Sequence, residues 1–337
     1  MNKKVCILYT GGTIGMVPTE DGFAPKAGYF ISLLDDIAQL KYDDMPGWDL
    51  VEFDPLLDSS DVSVDEWNAI GRAIASRYDD YDGFVVLHGT DTMAYSASAL
   101  SFMLEGLSKP VIFTGSQIPM CQVRSDGRDN LINSILIAAQ GIACEVCIFF
   151  AGKLIRGNRA TKTSADDLIA FTSPSYPPLA EVGIDIRYSK KSLSIPEQDG
   201  TFKLRELDHV PIAVLKLFPG MRFDLFEPLV SKDMKAVILE AFGSGNIPSR
   251  DSNIVDSIRR ATESGALIAV CSQCYQGTAR LGTYAASGKL MDFGAVSCRD
   301  MTTEATVAKL YYLFSKNMEK GALQRALETN LRGEISI

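Results

Sequence analysis

The chain has 337 residues, of which 46% are hydrophobic and 22% charged, with a formal net charge of −9. That profile fits a soluble chain long enough for two domains, and a sequence pI near 4.9 argues against a basic face for nucleic acid. No apolar stretch approaches the roughly 20 residues of a membrane span, and MNKKVCILYTGG breaks into glycines and threonines where a signal core would continue, so a cytoplasmic location is expected.

In chain order, the first half alternates short apolar runs with helical ones. Strands are expected at Val5–Tyr9, Gly83–Leu87, Pro110–Thr114 and Val146–Ala151, with helices at Val64–Tyr78, Thr92–Glu105 and Leu131–Gln140. Continuous apolar strands between helices argue for a parallel sheet covered on both faces. After Ala180 the composition changes, and Arg187–Val210 is polar and charged, with room for one edge strand. A second alternation follows, with strands at Ile212–Phe218, Ala236–Leu239 and Ala266–Val270 and helices at Asn253–Ser264, Thr302–Met318 and Leu323–Asn330. The fold class expected is α/β: two domains with mostly parallel sheets, a larger one over 1–186, a connection over 187–210 and a smaller one over 211–337.

The seven cysteines are odd in number and scattered, which is no disulfide framework. Two CxxC pairs, Cys144/Cys147 and Cys271/Cys274, lie too far apart for a zinc ribbon and sit in VCIFF and LIAVC, so buried strand cysteines are the better reading. With His88 and His209 as the only histidines, no histidine metal cluster is expected.

Two threonine turns end two of the expected strands: TGGTIG at Thr10–Gly15 and HGTDTM at His88–Met93. Open parallel sheets bind ligands beyond the carboxyl ends of their strands, so the turns propose one pocket with a threonine from each side. TGGTIG is not a dinucleotide fingerprint, because Pro18, Gly22 and Pro25 follow where a helix would be needed. Taken alone, Thr13 reads as a turn residue or as a reactive hydroxyl. Asp91 or Thr92 reads as a helix cap or as part of an anion-binding turn at a helix start. Lys162, in RGNRATK, reads as a surface lysine or as a base held among hydroxyls. PLLDSSD, with Asp58, Ser59, Ser60 and Asp61, reads as a cap or as a carboxylate cradle. His88 is read as structural, since GSQIP is not the nucleophile elbow of a serine hydrolase.

Together these motifs resemble the bacterial-type L-asparaginases, in particular the type I cytoplasmic enzymes. The resemblance runs through YTGGTIGM, PLLDSSD, the block Asp82–Pro119, RSDGRDNL and RGNRATK, and continues through FGSGNIP, DMTTEAT and NLRGEI, nearly the whole chain. It implies an asparaginase-like fold and hydrolysis of L-asparagine to L-aspartate and ammonia, with L-glutamine as a lesser substrate. Thr13 would be the nucleophile, Lys162 the base and Thr90 its relay. Asp91 would pair with the substrate α-ammonium, and Ser59 and Ser60 would hold the α-carboxylate. Backbone amides near Thr13 and Thr90 would form the oxyanion hole, Gly12 would bind the substrate, and Ser116 would lie near the leaving amide. Asn246 matches a residue lent by a neighbouring subunit, which implies a homodimer or a tetramer built as a dimer of dimers. No metal or organic cofactor is implied.

Two positions depart from the family pattern. Phe23, in EDGFAP, stands where a lid tyrosine is usual, and Tyr29 is a nearby phenol. Glu240 stands where an arginine would greet a second, regulatory asparagine near Thr161 and Cys274, so that regulation is not expected here. A catalytically silent asparagine sensor is the competing reading. The related tRNA-dependent amidotransferase subunit is disfavoured by the acidity and by the start at the first strand, and a nucleotide-binding module by the glycine spacing.

Overall fold

The computed structural model describes residues 3–20, 22–194, 200–225, 233–248 and 252–336. The chain divides into two compact units, 1–206 and 207–337.

The first unit is built on an eight-stranded sheet in the order Ile186–Tyr188, Ala180–Val182, Lys153–Arg156, Val146–Phe150, Val111–Thr114, Gly83–Leu87, Lys4–Gly11, Gly47–Leu57. The five strands from Val146–Phe150 to Gly47–Leu57 are parallel, and the other three run antiparallel along one edge. Val5–Tyr9, Phe84–Leu87 and Val111–Phe113 are almost wholly excluded from solvent, so both faces of the sheet are covered. This is why they are continuous apolar runs with no alternation.

Helix Val64–Ala75 is amphipathic and begins in a capping box: Ser63 accepts from Asp65 N–H, and Glu66 accepts from the Ser63 N–H. Helix Met93–Met103 is apolar and small all round, and ten of its residues are buried. Helix Gly127–Gln140 covers the other face through Leu131, Ile135 and Ala138. It starts four residues before the expected Leu131, because Asp126 and Gly127 open it ahead of the first apolar position.

Strand Gly47–Leu57 was not expected. Its acidic residues obscure the pattern, and an edge strand that is only half-buried needs no apolar run. The turn at Ala151 and Gly152 folds the chain back into Lys153–Arg156, which the polar RGNR run concealed. The segment 187–210, expected as a connection, supplies part of the edge strand Ile186–Tyr188 and the short strand Lys203–Leu204, which pairs with Leu104–Glu105. Phe202 stacks on Tyr78 with ring centroids 3.6 Å apart. Most of that segment therefore belongs to the first unit.

The second unit is a four-stranded parallel sheet in the order Ile212–Lys216, Ala236–Ala241, Leu267–Ser272, Val296–Ser297. Of the CxxC cysteines, Cys147 and Cys271 are buried strand residues as expected. Cys144 and Cys274 lie outside the strands, half-buried and exposed, because each follows or precedes the apolar run. Burial pushes the Cys147 thiol well above its ordinary value, which leaves it an inert core group.

The second unit also buries an ion pair completely. Lys309 and Glu334 are 0% exposed, with Nζ 2.6 Å from Oε1. Lys309 also donates to the Leu327 and Thr329 carbonyls, and Glu334 accepts from the Leu331 and Arg332 N–H groups. The pair locks the NLRGEI segment onto helix Thr303–Phe314. Breaking a buried pair strands the surviving charge. Lys309→Met is therefore expected to lower the unfolding free energy of the second unit by about 3–5 kcal/mol, read in urea unfolding of the full chain.

Candidate active site

Strands Lys4–Gly11 and Gly83–Leu87 are parallel neighbours, so the turns at their carboxyl ends stand side by side. The Thr10 hydroxyl ties them by donating to the Leu87 carbonyl at 2.8 Å. Gly12 takes φ 87°, and a Cβ there would come within 2.5 Å of the Gly89 nitrogen. A Cβ on Gly89 would in turn lie 2.4 Å from Ser59 Oγ. Three loops thus converge because two positions carry no side chain.

Thr13 opens a short 3₁₀ turn, Thr13–Gly15, and is half-buried. Thr90 is 7% exposed. Lys162 donates to Thr90 Oγ1 at 2.8 Å and to Asp91 Oδ1 at 2.7 Å. The lysine side chain is 18% exposed and that of Asp91 67%. The surface-lysine reading of Lys162 therefore gives way to a lysine clasped between a hydroxyl and a carboxylate.

Lys162 reaches this position from a two-stranded ribbon, where it sits opposite Phe171. Below it the chain is fixed by groups rarely found inside proteins. Arg159 is 1% exposed, and its guanidinium lies 5.2 Å from the centre of the Tyr176 ring. Arg156 is paired with Glu145, both buried, and also donates to Ser192 O and Ser194 Oγ at 2.9 Å. Buried charges persist only when paired and hydrogen-bonded, and the Arg156–Glu145 pair meets that condition.

Neither Asp91 nor Thr92 caps helix Met93–Met103. Thr92 is the N-cap residue, but its hydroxyl donates to the Ser59 carbonyl at 2.6 Å. The start of the helix thus has no side-chain cap, and its partial positive charge faces the turn. The same bond fixes Ser59, which is 5% exposed. Ser60 is exposed, and its N–H and hydroxyl both donate to Asp58 Oδ1. Those bonds, the backbone one first, hold the Asp58 carboxyl below its usual range.

His88 is 1% exposed. Its Nδ1 lies 2.7 Å from the Gly89 carbonyl and its Nε2 3.0 Å from Ser96 Oγ, which accepts from the Trp67 indole at 3.0 Å. The carbonyl can only accept, so Nδ1 carries the proton and Nε2 accepts from Ser96. This neutral ring anchors Gly89 from below. Burial pushes its titration down to about 4, against the Gly89 bond, which acts the other way.

Two residues that sequence reasoning did not single out join the site. Gln117 Oε1 accepts from Thr90 Oγ1 at 3.2 Å. Asp126 accepts from the Gln117 and Ile118 N–H groups at 3.0–3.1 Å. Both follow strand Val111–Thr114, so the strand-end rule applied to the two threonine turns would have found them. Ser116, in the same loop, is 1% exposed, and its Oγ has no hydrogen-bond partner among the described residues. Met120 N–H donates to the Ile14 carbonyl at 3.1 Å, joining this loop to the Thr13 turn.

The other residues named from the sequence lie on other elements. Asn246 belongs to the second unit, in a turn closed by paired bonds with Phe242. Phe23 is exposed on the hairpin Met16–Thr19/Gly22–Pro25, opposite Pro18, and Tyr29 precedes helix Phe30–Asp35. Glu240 accepts from the Thr303 hydroxyl at 2.6 Å.

Two family models match the chain: Asparaginase, N-terminal, over residues 4–194, and the Glutaminase/Asparaginase C-terminal domain over residues 211–327. L-asparaginase 1 of Escherichia coli K12 is 42% identical over 334 residues, covering 99% of this chain and 98% of that one. The crystal structure of L-asparaginase I from Vibrio cholerae superposes with a TM-score of 0.92 at 40% identity, covering all of both chains. The thermostable L-asparaginase from Thermococcus kodakarensis gives a TM-score of 0.89 at 29% identity, covering 99% of each.

The His88 arrangement has a consequence for stability. Its folded value, about 4, lies below its ordinary 6.5. The contribution of the neutral ring is therefore complete above pH 6.5 and is lost as pH falls toward 4, where the unfolded chain binds the extra proton. The loss is on the order of 3 kcal/mol. Urea unfolding at the two pH values is expected to show this loss in the native chain and to lack it in His88→Gln.

Proposed function

The chain belongs to the asparaginase family, and from that premise we propose that it hydrolyses the side-chain amide of L-asparagine to L-aspartate and ammonia through a threonyl acyl-enzyme. An amide is a poor electrophile, so a covalent ester divides one hard hydrolysis into two easier steps. Thr13 Oγ1 attacks the amide carbon. Thr90 and Lys162 manage the proton, which passes to the departing ammonia. Water then cleaves the ester, releasing aspartate and restoring the Thr13 hydroxyl. Asp91 pairs with the α-ammonium, and the Ser59 turn, with Ser60, holds the α-carboxylate. Backbone amides around Gly12 and Gly89 stabilise the tetrahedral oxyanion, where one lost donor typically costs about 3–4 kcal/mol of barrier. Ser116, buried with an unengaged hydroxyl, lies near the leaving amide.

The observation that carries this reading is the clasp of Lys162 on Thr90 and Asp91, beside the close approach of Gly12 to Gly89. The same reading assigns Asn246 to a neighbouring copy's site, and so proposes a homodimer or a dimer of dimers. It also proposes a cytoplasmic location. No described helix is long and apolar enough to cross a membrane. L-Glutamine is a lesser substrate on this reading, because one methylene is worth only about 1–3 kcal/mol in a pocket.

One observation favours a second reading. Phe23 cannot hydrogen-bond or relay a proton, so a sensor that binds asparagine without turning it over fits that position. Ammonia release from purified protein separates the two. The enzyme is expected to release ammonia, and Thr13→Ala and Lys162→Met each to lower kcat by roughly a thousandfold or more with the fold intact. Binding of asparagine with no ammonia from the native chain establishes the sensor. In the active enzyme, Phe23→Tyr is expected to change kcat. A variant with unaltered turnover and pH–rate profile makes a lid hydroxyl irrelevant here.

A further inference from the structure

We propose that Gln117 is a positioning residue that fixes the Thr90 hydroxyl on Lys162. The inference rests on the proposed roles of Thr90 and Lys162. A threonine oxygen has three staggered places to stand, and catalysis by proton transfer needs the one within hydrogen-bond reach of the base. Thr90 Oγ1 has two partners. It accepts from Lys162 Nζ at 2.8 Å and donates to Gln117 Oε1 at 3.2 Å. Lys162 alone fixes the oxygen weakly, because the same ammonium also serves Asp91 at 2.7 Å. The Gln117 acceptor adds the second anchor.

The carboxamide is itself held. Its Nε2 donates to the Asp167 carbonyl at 3.2 Å, which settles which end of the amide faces Thr90. Its backbone N–H is shared between both oxygens of Asp126 at 3.1 Å, and Asp126 also accepts from Ile118 N–H and Asn130 Nδ2. Asp126 stands at the N-cap of helix Gly127–Gln140, yet its side chain makes no capping bond there. Its side chain is turned to the Gln117 and Ile118 N–H groups and clamps the loop. Through Met120 N–H and the Ile14 carbonyl, the same loop is tied to the turn that carries Thr13. One short segment therefore touches both threonine turns, and Gln117 is its contact with the reacting side. For turnover Lys162 must first give up a proton and stand as the neutral amine; the Thr90 hydroxyl hydrogen then swings from Gln117 Oε1 toward the Nζ lone pair, while the oxygen stays in place.

The test compares Gln117→Leu, which removes the acceptor, with Gln117→Glu, which keeps an oxygen at the same reach. Ammonia release from L-asparagine is measured on the full-length protein. Gln117→Leu is expected to lower kcat about tenfold or more while KM stays within about twofold. Gln117→Glu is expected to recover most of that loss. The Asp126 bonds involve only the Gln117 backbone, so both variants are expected to melt within about 3 °C of the native chain. Unchanged kcat in Gln117→Leu, a rise in KM alone, or a Gln117→Glu variant as slow as Gln117→Leu overturns the assignment. A native chain that releases no ammonia overturns the proposed function and this inference together. An active native chain with an unaffected Gln117→Leu overturns the inference alone.

Discussion

The site depends on one interaction, the hydrogen bond from Lys162 to the Thr90 hydroxyl. It joins residues 72 positions apart in the chain, from two loops whose strands are not neighbours in the sheet. A flexible lysine holds such a place only if the backbone beneath it is fixed, because ordering that side chain costs up to about 2 kcal/mol of rotamer entropy. The fixing comes from the ribbon with Phe171–Thr172 and from the buried Arg156, Arg159 and Glu145 below. Replacing any of these with a solvated residue would loosen the lysine before it touched the chemistry.

The same logic runs through the other loops. Each turn of the candidate site rests on a polar group engaged by hydrogen bonds: the buried His88 under Gly89, the half-buried Asp126 under Gln117, the Ser59 carbonyl under Thr92. A buried polar group without partners costs about 1–3 kcal/mol, so each of these has one favourable arrangement and steep penalties elsewhere. Apolar packing alone would permit small slips of a loop. These hydrogen bonds do not, and a misplacement on the order of 1 Å can cost a hundredfold in rate. The parallel sheet brings the loops to one edge, and the buried polar groups set their final positions.

Much of this was legible in the sequence, for physical reasons. Strands buried on both faces must be apolar throughout, so Val5–Tyr9, Gly83–Leu87 and Val146–Ala151 stood out, and the turns after the first two marked the candidate site. Strand Gly47–Leu57 escaped because an edge strand tolerates acids, and Lys153–Arg156 because its arginine is neutralised by Glu145, distant in local pattern. Lys309 reads as a surface residue in any window and is wholly buried, since its partner Glu334 arrives from the far end of the chain. Gln117 was legible only in part. Its place after strand Val111–Thr114 marks it as a strand-end residue, but its bond to Thr90, on the loop of the neighbouring strand, is written in no local spacing.

The contrast between the two kinds of ion pair separates scaffold from reactive site. Arg156–Glu145 and Lys309–Glu334 are desolvated and saturated with hydrogen bonds, so exchanging either partner would expose an uncompensated charge. Lys162–Asp91 is different, because the Asp91 side chain is 67% exposed. A solvated pair of this kind is worth about 0–1 kcal/mol, so the carboxylate can accept a new cationic partner at little cost. Under the proposed roles that partner is the substrate α-ammonium. An incoming ammonium then draws on the same carboxylate that restrains Lys162, and the lysine keeps its bond to Thr90 alone. A buried Asp91 would bind Lys162 too firmly for this exchange, and a fully detached one would leave the lysine free to wander. Under those proposed roles, the exposure of the Asp91 carboxylate lets filling of the site free Lys162 from its second partner.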